Sequence, residues 1–310
     1  MIIALTGGVG GAKFITGLAA IVAPEELTIV VNTGDDFNHW GLPISPDLDS
    51  VMYKLAGINN KETGWGMANE TWHTLQAMQK LGAEDWFQIG DQDLATHIER
   101  HRLLQTGHTL SETTRLLCQR LHVKHSLIPM SDDAVATRLH TSSESLAFQD
   151  YFVKHQSRPI VQAISYEGAS LARPNFQFMS ALLSPALQGI VISPSNPLLS
   201  IAPILALPGI TEVIKARRVP VIAISPLIQG KAFKGPTAKL MTELGMESSV
   251  VGIGKFYQPM VTHVMIDSTD AHHCSALEML GMRGVLANIT LTSTADAISL
   301  AQHVVKRLKN

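Results

Sequence analysis

The 310-residue chain is poor in several things that mark specialised proteins: it has two cysteines, 5% aromatic residues, and 16% charged residues summing to a net charge of −2. Cys118 and Cys274 lie far apart, which excludes a disulfide framework and a paired zinc spacing and makes a reducing cytoplasm the expected compartment. No basic run occurs beyond the short "KRLKN" near the C-terminus, so nucleic acid is not an expected partner. The apolar stretches are short or broken by Ser, Pro, Asn or Gly, and no membrane span is expected. The first residues lack the basic start and long apolar core of a signal peptide. A hydrophobic content of 45% suffices for a sizeable core and argues against disorder.

Within these bounds, short β-branched runs alternate with helical patterns, which predicts an α/β fold with a mostly parallel sheet. "MIIAL" (1–5), "ELTIVVN" (26–32), "HSLIPM" (125–130), "GIVIS" (189–193), "VPVIAIS" (219–225), "THVMID" (262–267) and "GVLANIT" (284–290) read as its strands. Between about 50 and 120 the alternation gives way to helices, an expected insertion or cap over the sheet edge. One helix there closes at Tyr53–Gly57, a second is "ETWHTLQAMQKLG", and a third is "TLSETTRLLCQRL" with a capping box of Thr109 and Glu112. Residues 136–165 read as a smaller β-rich excursion. With no repeat or low-complexity linker, a single domain over 1–310 is expected.

"TGGVGGAK" follows the first strand. It is no Walker A loop, because Ala12 and Phe14 flank Lys13, and it matches the dinucleotide fingerprint only in part. Its physical core is still a strand, a glycine loop and a helix N-terminus, which suits a phosphate. Gly7, Gly8, Gly10, Gly11 and Lys13 are therefore candidate phosphate-binding residues. The plainer alternative is a tight turn with Lys13 solvated.

Polar loops follow the other strands. "NTGDDFNHWGLPISPDLDS" offers Asn32, Thr33, Asp35 and Asp36 to a ribose or a metal, then Asp47 as a helix cap and Asp49 in the first helical turn. "GDQDLATH" carries Asp91, Gln92 and Asp93 and, taken alone, reads as a turn capping the next helix. "PMSDD" supplies Ser131, Asp132 and Asp133, and "SPSNP" supplies Ser193, Ser195 and Asn196. Four such loops at strand ends make a cleft. The thirteen histidines show no closed zinc pattern, and His97 and His101 lack an accompanying HExxH, so they read as surface or helix-end residues.

Taken in order, "TGGVGGAK", "NTGDDFNHWGLPISPDLDSVMYKLAG", "GWG", "GDQDLATHIER", "PMSDD" and "ISPSNP" closely resemble the CofD family, the 2-phospho-L-lactate transferases of coenzyme F420 biosynthesis. The resemblance implies a Rossmann-like fold, a homodimer and Mg²⁺ dependence. It also implies a reaction in which the deazaflavin Fo receives a phospho-acid from a guanosine-diphosphate-activated donor, releasing GMP. The donor acid in family members is 2-phospholactate, phosphoenolpyruvate or 3-phosphoglycerate. Carried onto this chain, the resemblance places Asp49 at the Fo site with Asp91 and Gln92 near it. Gln92 stands where many members have Arg or Lys.

The expected roles follow. Asp49 and Asp47 are catalytic, and Asp49, Asp35 and Asp36 are metal ligands. The glycine loop, Asn32, Asp35, Ser193, Ser195 and Asn196 hold the nucleotide phosphates. Lys234 is a further candidate, facing the donor's carboxylate. The alternative is a YvcK-like regulatory protein that binds a nucleotide sugar.

Overall fold

The computed structural model describes residues 1–233 and 235–309; Lys234 lies outside the described residues. Seven strands form one sheet: β1 (Ile2–Thr6), β2 (Leu27–Val31), β3 (Ser126–Pro129), β4 (Gly189–Ile192), β5 (Val221–Ile224), β6 (His263–Ile266) and β7 (Arg283–Leu286). Every neighbouring pair is parallel. In this numbering the spatial order is β3-β2-β1-β4-β5-β6-β7. The order reverses between β1 and β4, and a doubly wound sheet opens its ligand crevice at such a point, outside the carboxyl ends of the strands. The glycine loop follows β1 and the Ser193–Asn196 loop follows β4, so both flank that crevice.

The strands are continuous apolar runs because both sheet faces are covered. All five residues of β1 are buried. On one face lie helices α1 (Gly8–Ala19) and α2 (Pro46–Ala56) with the C-terminal helix Thr294–Leu308, joined through Phe14, Ile15, Leu18, Val51, Leu300 and Val304. The other face packs against Phe178, Leu182, Ile204, Met241 and Ile253. The last strand ends at Leu286, earlier than the apolar run to Thr290 predicts. Among the described residues no single helix is long and apolar enough to cross a membrane.

The helical block stands between β2 and β3. After a short hairpin (Phe37–His39 with Leu42–Ile44) and α2 come α3 (His73–Lys80), α4 (Asp91–Gln105) and α5 (Leu110–Arg120). The capping box at Thr109 forms: Glu112 N–H donates to Thr109 Oγ1 at 3.2 Å and Thr109 N–H to Glu112 Oε2 at 2.9 Å. Helix α4 buries Asp93, Thr96, His97, Arg100 and Leu103. Its inward face is mostly polar, so hydrophobic periodicity gives little sign of it. The β-rich excursion is a three-stranded antiparallel sheet of Ser145–Ala147, Ala136–His140 and Ala163–Glu167.

Candidate active site

The loop after β2 and the start of α2 bring four carboxylates together at the crevice. Asp35, Asp47 and Asp49 are each at most 6% exposed, and Asp36 is half-buried. Asn32, fully buried at the end of β2, ties the group: its Nδ2 donates to Asp47 Oδ2 at 2.9 Å and to Asp35 Oδ1 at 3.2 Å. Its Oδ1 accepts from the Gly34 N–H at 2.8 Å, which fixes the turn. Gln149, from the β-rich excursion, donates to Asp35 Oδ2 at 3.3 Å. Ser45 donates to Asp36 Oδ2 at 2.7 Å, while Asp36 Oδ1 is buried with no partner among the described residues.

Such crowding raises the proton affinity of the group. Burial, then the neighbouring charges of Asp47 and Asp36, hold the Asp35 carboxyl well above the usual range. Burial does the same to Asp36, opposed by the Ser45 hydrogen bond and the Arg100 charge. Asp47 is pushed up to about 6 by burial, against hydrogen bonds from Asn32 and the Gly8 backbone.

Asp47 lies in the first turn of α2, whose N-cap is Ser45, and does not cap that helix. It is turned onto the glycine loop. A Cβ added at Gly7 would lie 2.3 Å from Asp47 Oδ2 and 2.7 Å from Ser200 Cβ, so only glycine fits there. Ser195 accepts from the Gly7 N–H at 3.1 Å and donates to the Gly7 carbonyl at 2.6 Å, and Ser193 donates to Thr6 Oγ1 at 2.8 Å. Gly11 lets α1 sit on these hydroxyls, since a Cβ would lie 2.4 Å from Ser195 Oγ; at Gly10 it would face the Pro194 carbonyl at 3.1 Å. Asn196 caps the next turn by accepting from Leu198 and Leu199 N–H groups. Lys13 Nζ donates to the Leu291 carbonyl at 3.1 Å, in the loop before the C-terminal helix.

Asp49 is gripped by a buried guanidinium. Arg100, 1% exposed, donates from Nη1 to Asp49 Oδ2 at 3.0 Å and from Nη2 to Asp49 Oδ1. Behind Arg100, His97 Nδ1 lies 3.1 Å from Nη1 and His97 Nε2 lies 3.3 Å from Asp93 Oδ1. Arginine can only donate, so Nδ1 accepts and the ring's proton sits on Nε2, facing Asp93. Tyr53 donates to Asp93 Oδ1 at 2.6 Å. Despite its burial, Asp93 is held below the usual range by its contact with His97, the Tyr53 hydrogen bond and the Arg100 charge.

This chain of Tyr53, Asp93, His97, Arg100 and Asp49 is not apparent from the sequence, and His97 is a buried network member, not a surface histidine. The spacing 93, 97, 100 is the available signal, because it puts three polar groups on one helix face.

Asp91, Gln92, Asp132 and Asp133 bond to the chain around them. Asp91 accepts from the His73 and Thr74 N–H groups at 3.0 and 2.9 Å, closing the start of α3. Gln92 is exposed and donates to the Asn69 carbonyl at 2.9 Å. Asp133 pairs with Arg173, and Asp132 accepts from the Ser111 N–H. Beside Asp36 stands an aromatic wall of Phe37, His39, Trp86 and Phe87, with successive ring centroids 4.8 to 6.1 Å apart. His39 Nε2 is buried there without a partner among the described residues.

Among the described residues no three His, Cys, Asp or Glu side chains are set to hold a metal ion by themselves. Mg²⁺ that receives phosphate oxygens needs only one or two carboxylates from the protein. Asp36, with its partnerless Oδ1, and the mutually repelling Asp35 and Asp47 fit that requirement. Asp49 has both oxygens turned to Arg100.

The 2-phospho-L-lactate transferase CofD family model matches residues 2–285. The chain is 38% identical over 317 residues to a phosphoenolpyruvate transferase of Kitasatospora aureofaciens, covering 98% of both. It is 36% identical over 304 residues to a 2-phospho-L-lactate transferase of Methanosarcina mazei, covering 98% of this chain and 99% of that one. The crystal structure of a UPF0052-family protein from Bacillus halodurans superposes with a TM-score of 0.64 at 14% identity, covering 98% of each chain. That likeness concerns the fold alone.

Proposed function

Because the chain belongs to the CofD family, we propose that it transfers a phospho-acid from its guanosine-diphosphate-activated form to the deazaflavin Fo, releasing GMP. The observation that carries this reading at the level of the site is the buried carboxylate group at the β1/β4 crevice, with one Asp36 oxygen lacking a partner among the described residues. Two of the relatives named above carry names for transfer of phosphoenolpyruvate and of 2-phospholactate, and these acids are the donors to try first.

The reaction is a displacement at phosphorus. A terminal ribityl hydroxyl of Fo forms the new O–P bond, the bond from that phosphorus to the GMP phosphate breaks, and GMP leaves with the bridging oxygen. Positioning and charge neutralisation dominate such chemistry. Mg²⁺, held by Asp36 with Asp35 or Asp47, would supply charge neutralisation at the diphosphate. Asn32 keeps Asp35 and Asp47 at fixed separation, and Ser45 orients Asp36. The hydroxyl proton goes to a carboxylate of the group, which burial makes a better base than an exposed aspartate. The aromatic group of Phe37, His39, Trp86 and Phe87 would be the apolar contact for the deazaflavin ring.

The test is incubation of the protein with Fo, Mg²⁺ and each activated phospho-acid, followed by mass spectrometry of the deazaflavin. A mass gain matching one acid supports the reading; unchanged Fo with every intact donor overturns it.

A further inference from the structure

We infer that Arg100 is a positioning residue, which presents Asp49 to the hydroxyl groups of the acceptor and leaves cation binding to the other carboxylates. The inference rests on the transferase reading above and assigns a task within that site. Asp49 and Arg100 sit on different helices, α2 and α4, and both are buried. The guanidinium meets both Asp49 oxygens in a two-pronged pair, which fixes the plane of the carboxylate as a single ammonium cannot.

A carboxylate has about four lone-pair sites, so two remain after the fork is made, and these suit hydroxyl donors. A second cation on the same oxygens would face the guanidinium charge. Asp36 differs: among the described residues its Oδ1 has no partner and no arginine bonds it, although the Arg100 charge reaches it. The carboxylates thus divide into one held by a guanidinium and three held by neutral donors.

Arg100 is in turn aligned from behind. His97 Nδ1 accepts at 3.1 Å, His97 Nε2 lies 3.3 Å from Asp93 Oδ1, and Tyr53 donates to that oxygen at 2.6 Å. The run ties the helical block to α2 at the crevice. A guanidinium serving stability alone would leave acceptor affinity unchanged in the folded variants, so a ligand-specific readout separates the two roles.

The experiment titrates the deazaflavin into wild type, Arg100→Lys and His97→Gln, following its fluorescence without donor, and then measures the KM for donor and the Mg²⁺ activation constant. Arg100→Lys keeps the charge and loses the fork. Its acceptor Kd should rise about tenfold or more, the size of one lost charge-assisted bond, with the donor KM and Mg²⁺ constant within about twofold. His97→Gln leaves every buried formal charge in place and should shift the acceptor Kd in the same direction, by about threefold. It carries the test if Arg100→Lys does not fold.

Unchanged acceptor affinity in the folded variants overturns the inference, as does a Mg²⁺ constant that moves with it. Wild type that binds the deazaflavin but transfers nothing speaks against the transferase reading, while the affinity comparison still decides the role of Arg100. Wild type that does not bind the deazaflavin overturns both.

Discussion

Asp47 rests its carboxylate on the glycine loop, hydrogen-bonded by the Gly8 backbone at the start of α1 and by Asn32 Nδ2 at 2.9 Å. A helix N-terminus behind glycines is a seat for an anion, and here the chain's own carboxylate takes it. The loop therefore does two things: it holds one of the crowded carboxylates in place, and it stands next to wherever a donor phosphate enters. Four consequences can be measured.

The first concerns stability against pH. Burial raises Asp47 from the ordinary 3.8 to about 6. Between those values the native state holds a proton that the unfolded chain has released, so stability falls as pH rises. Below that window both states are protonated; above it the cost is constant, at most about 3 kcal/mol. Asp47→Asn should make the decline shallower and add about 1–3 kcal/mol at about pH 7.5, read by urea denaturation in chelator. A slope equal to that of wild type would contradict the burial of Asp47 as its cause.

Added Mg²⁺ should act on the same window. Binding to the ionised carboxylates stabilises the native state at about pH 7.5 and does little at about pH 4, where protons compete. Thermal melts at both pH values check this, and Asp36→Asn should weaken the response. A shift equal at both pH values would place the cation elsewhere.

Gly7→Ala should be damaging despite its small size. The new Cβ meets Asp47 Oδ2 and, less yieldingly, Ser200 Cβ at 2.7 Å. We expect a loss of about 1–3 kcal/mol and a larger loss of turnover, because Asp47 must move. Denaturation and initial rates on the folded protein read the two effects separately.

Tyr53→Phe removes the buried donor to Asp93 while keeping the ring. The expected cost is about 1.5–3 kcal/mol, since the acceptor is a carboxylate. Asp91→Ala is the contrast: it should lower the melting temperature by loosening α3, with kcat of the folded protein within about twofold of wild type. A large kcat loss in Asp91→Ala would return that residue to the reacting centre.

Much of this is legible in the sequence. Seven apolar runs gave seven strands, and polar residues after β1, β2 and β4 reached one crevice because parallel strands present the same end there. The roles of individual carboxylates were less legible. Asp91 and Asp93 differ by two positions, yet one caps α3 and the other is buried against Tyr53, since residues two apart in a helical turn lie about 200° around its axis. The Arg100 grip on Asp49 joins residues 51 apart through a helix whose buried face is polar, and neither periodicity nor local spacing reports such a pair.

The most direct measurement is GMP release by the purified protein with Mg²⁺ and an activated phospho-acid, with and without Fo, compared between wild type and Asp36→Asn. The account predicts GMP formed only when Fo is present, in step with the deazaflavin's mass gain, and a loss of about a hundredfold or more in the variant. GMP release that ignores Fo, or an Asp36→Asn enzyme as fast as wild type, would contradict it.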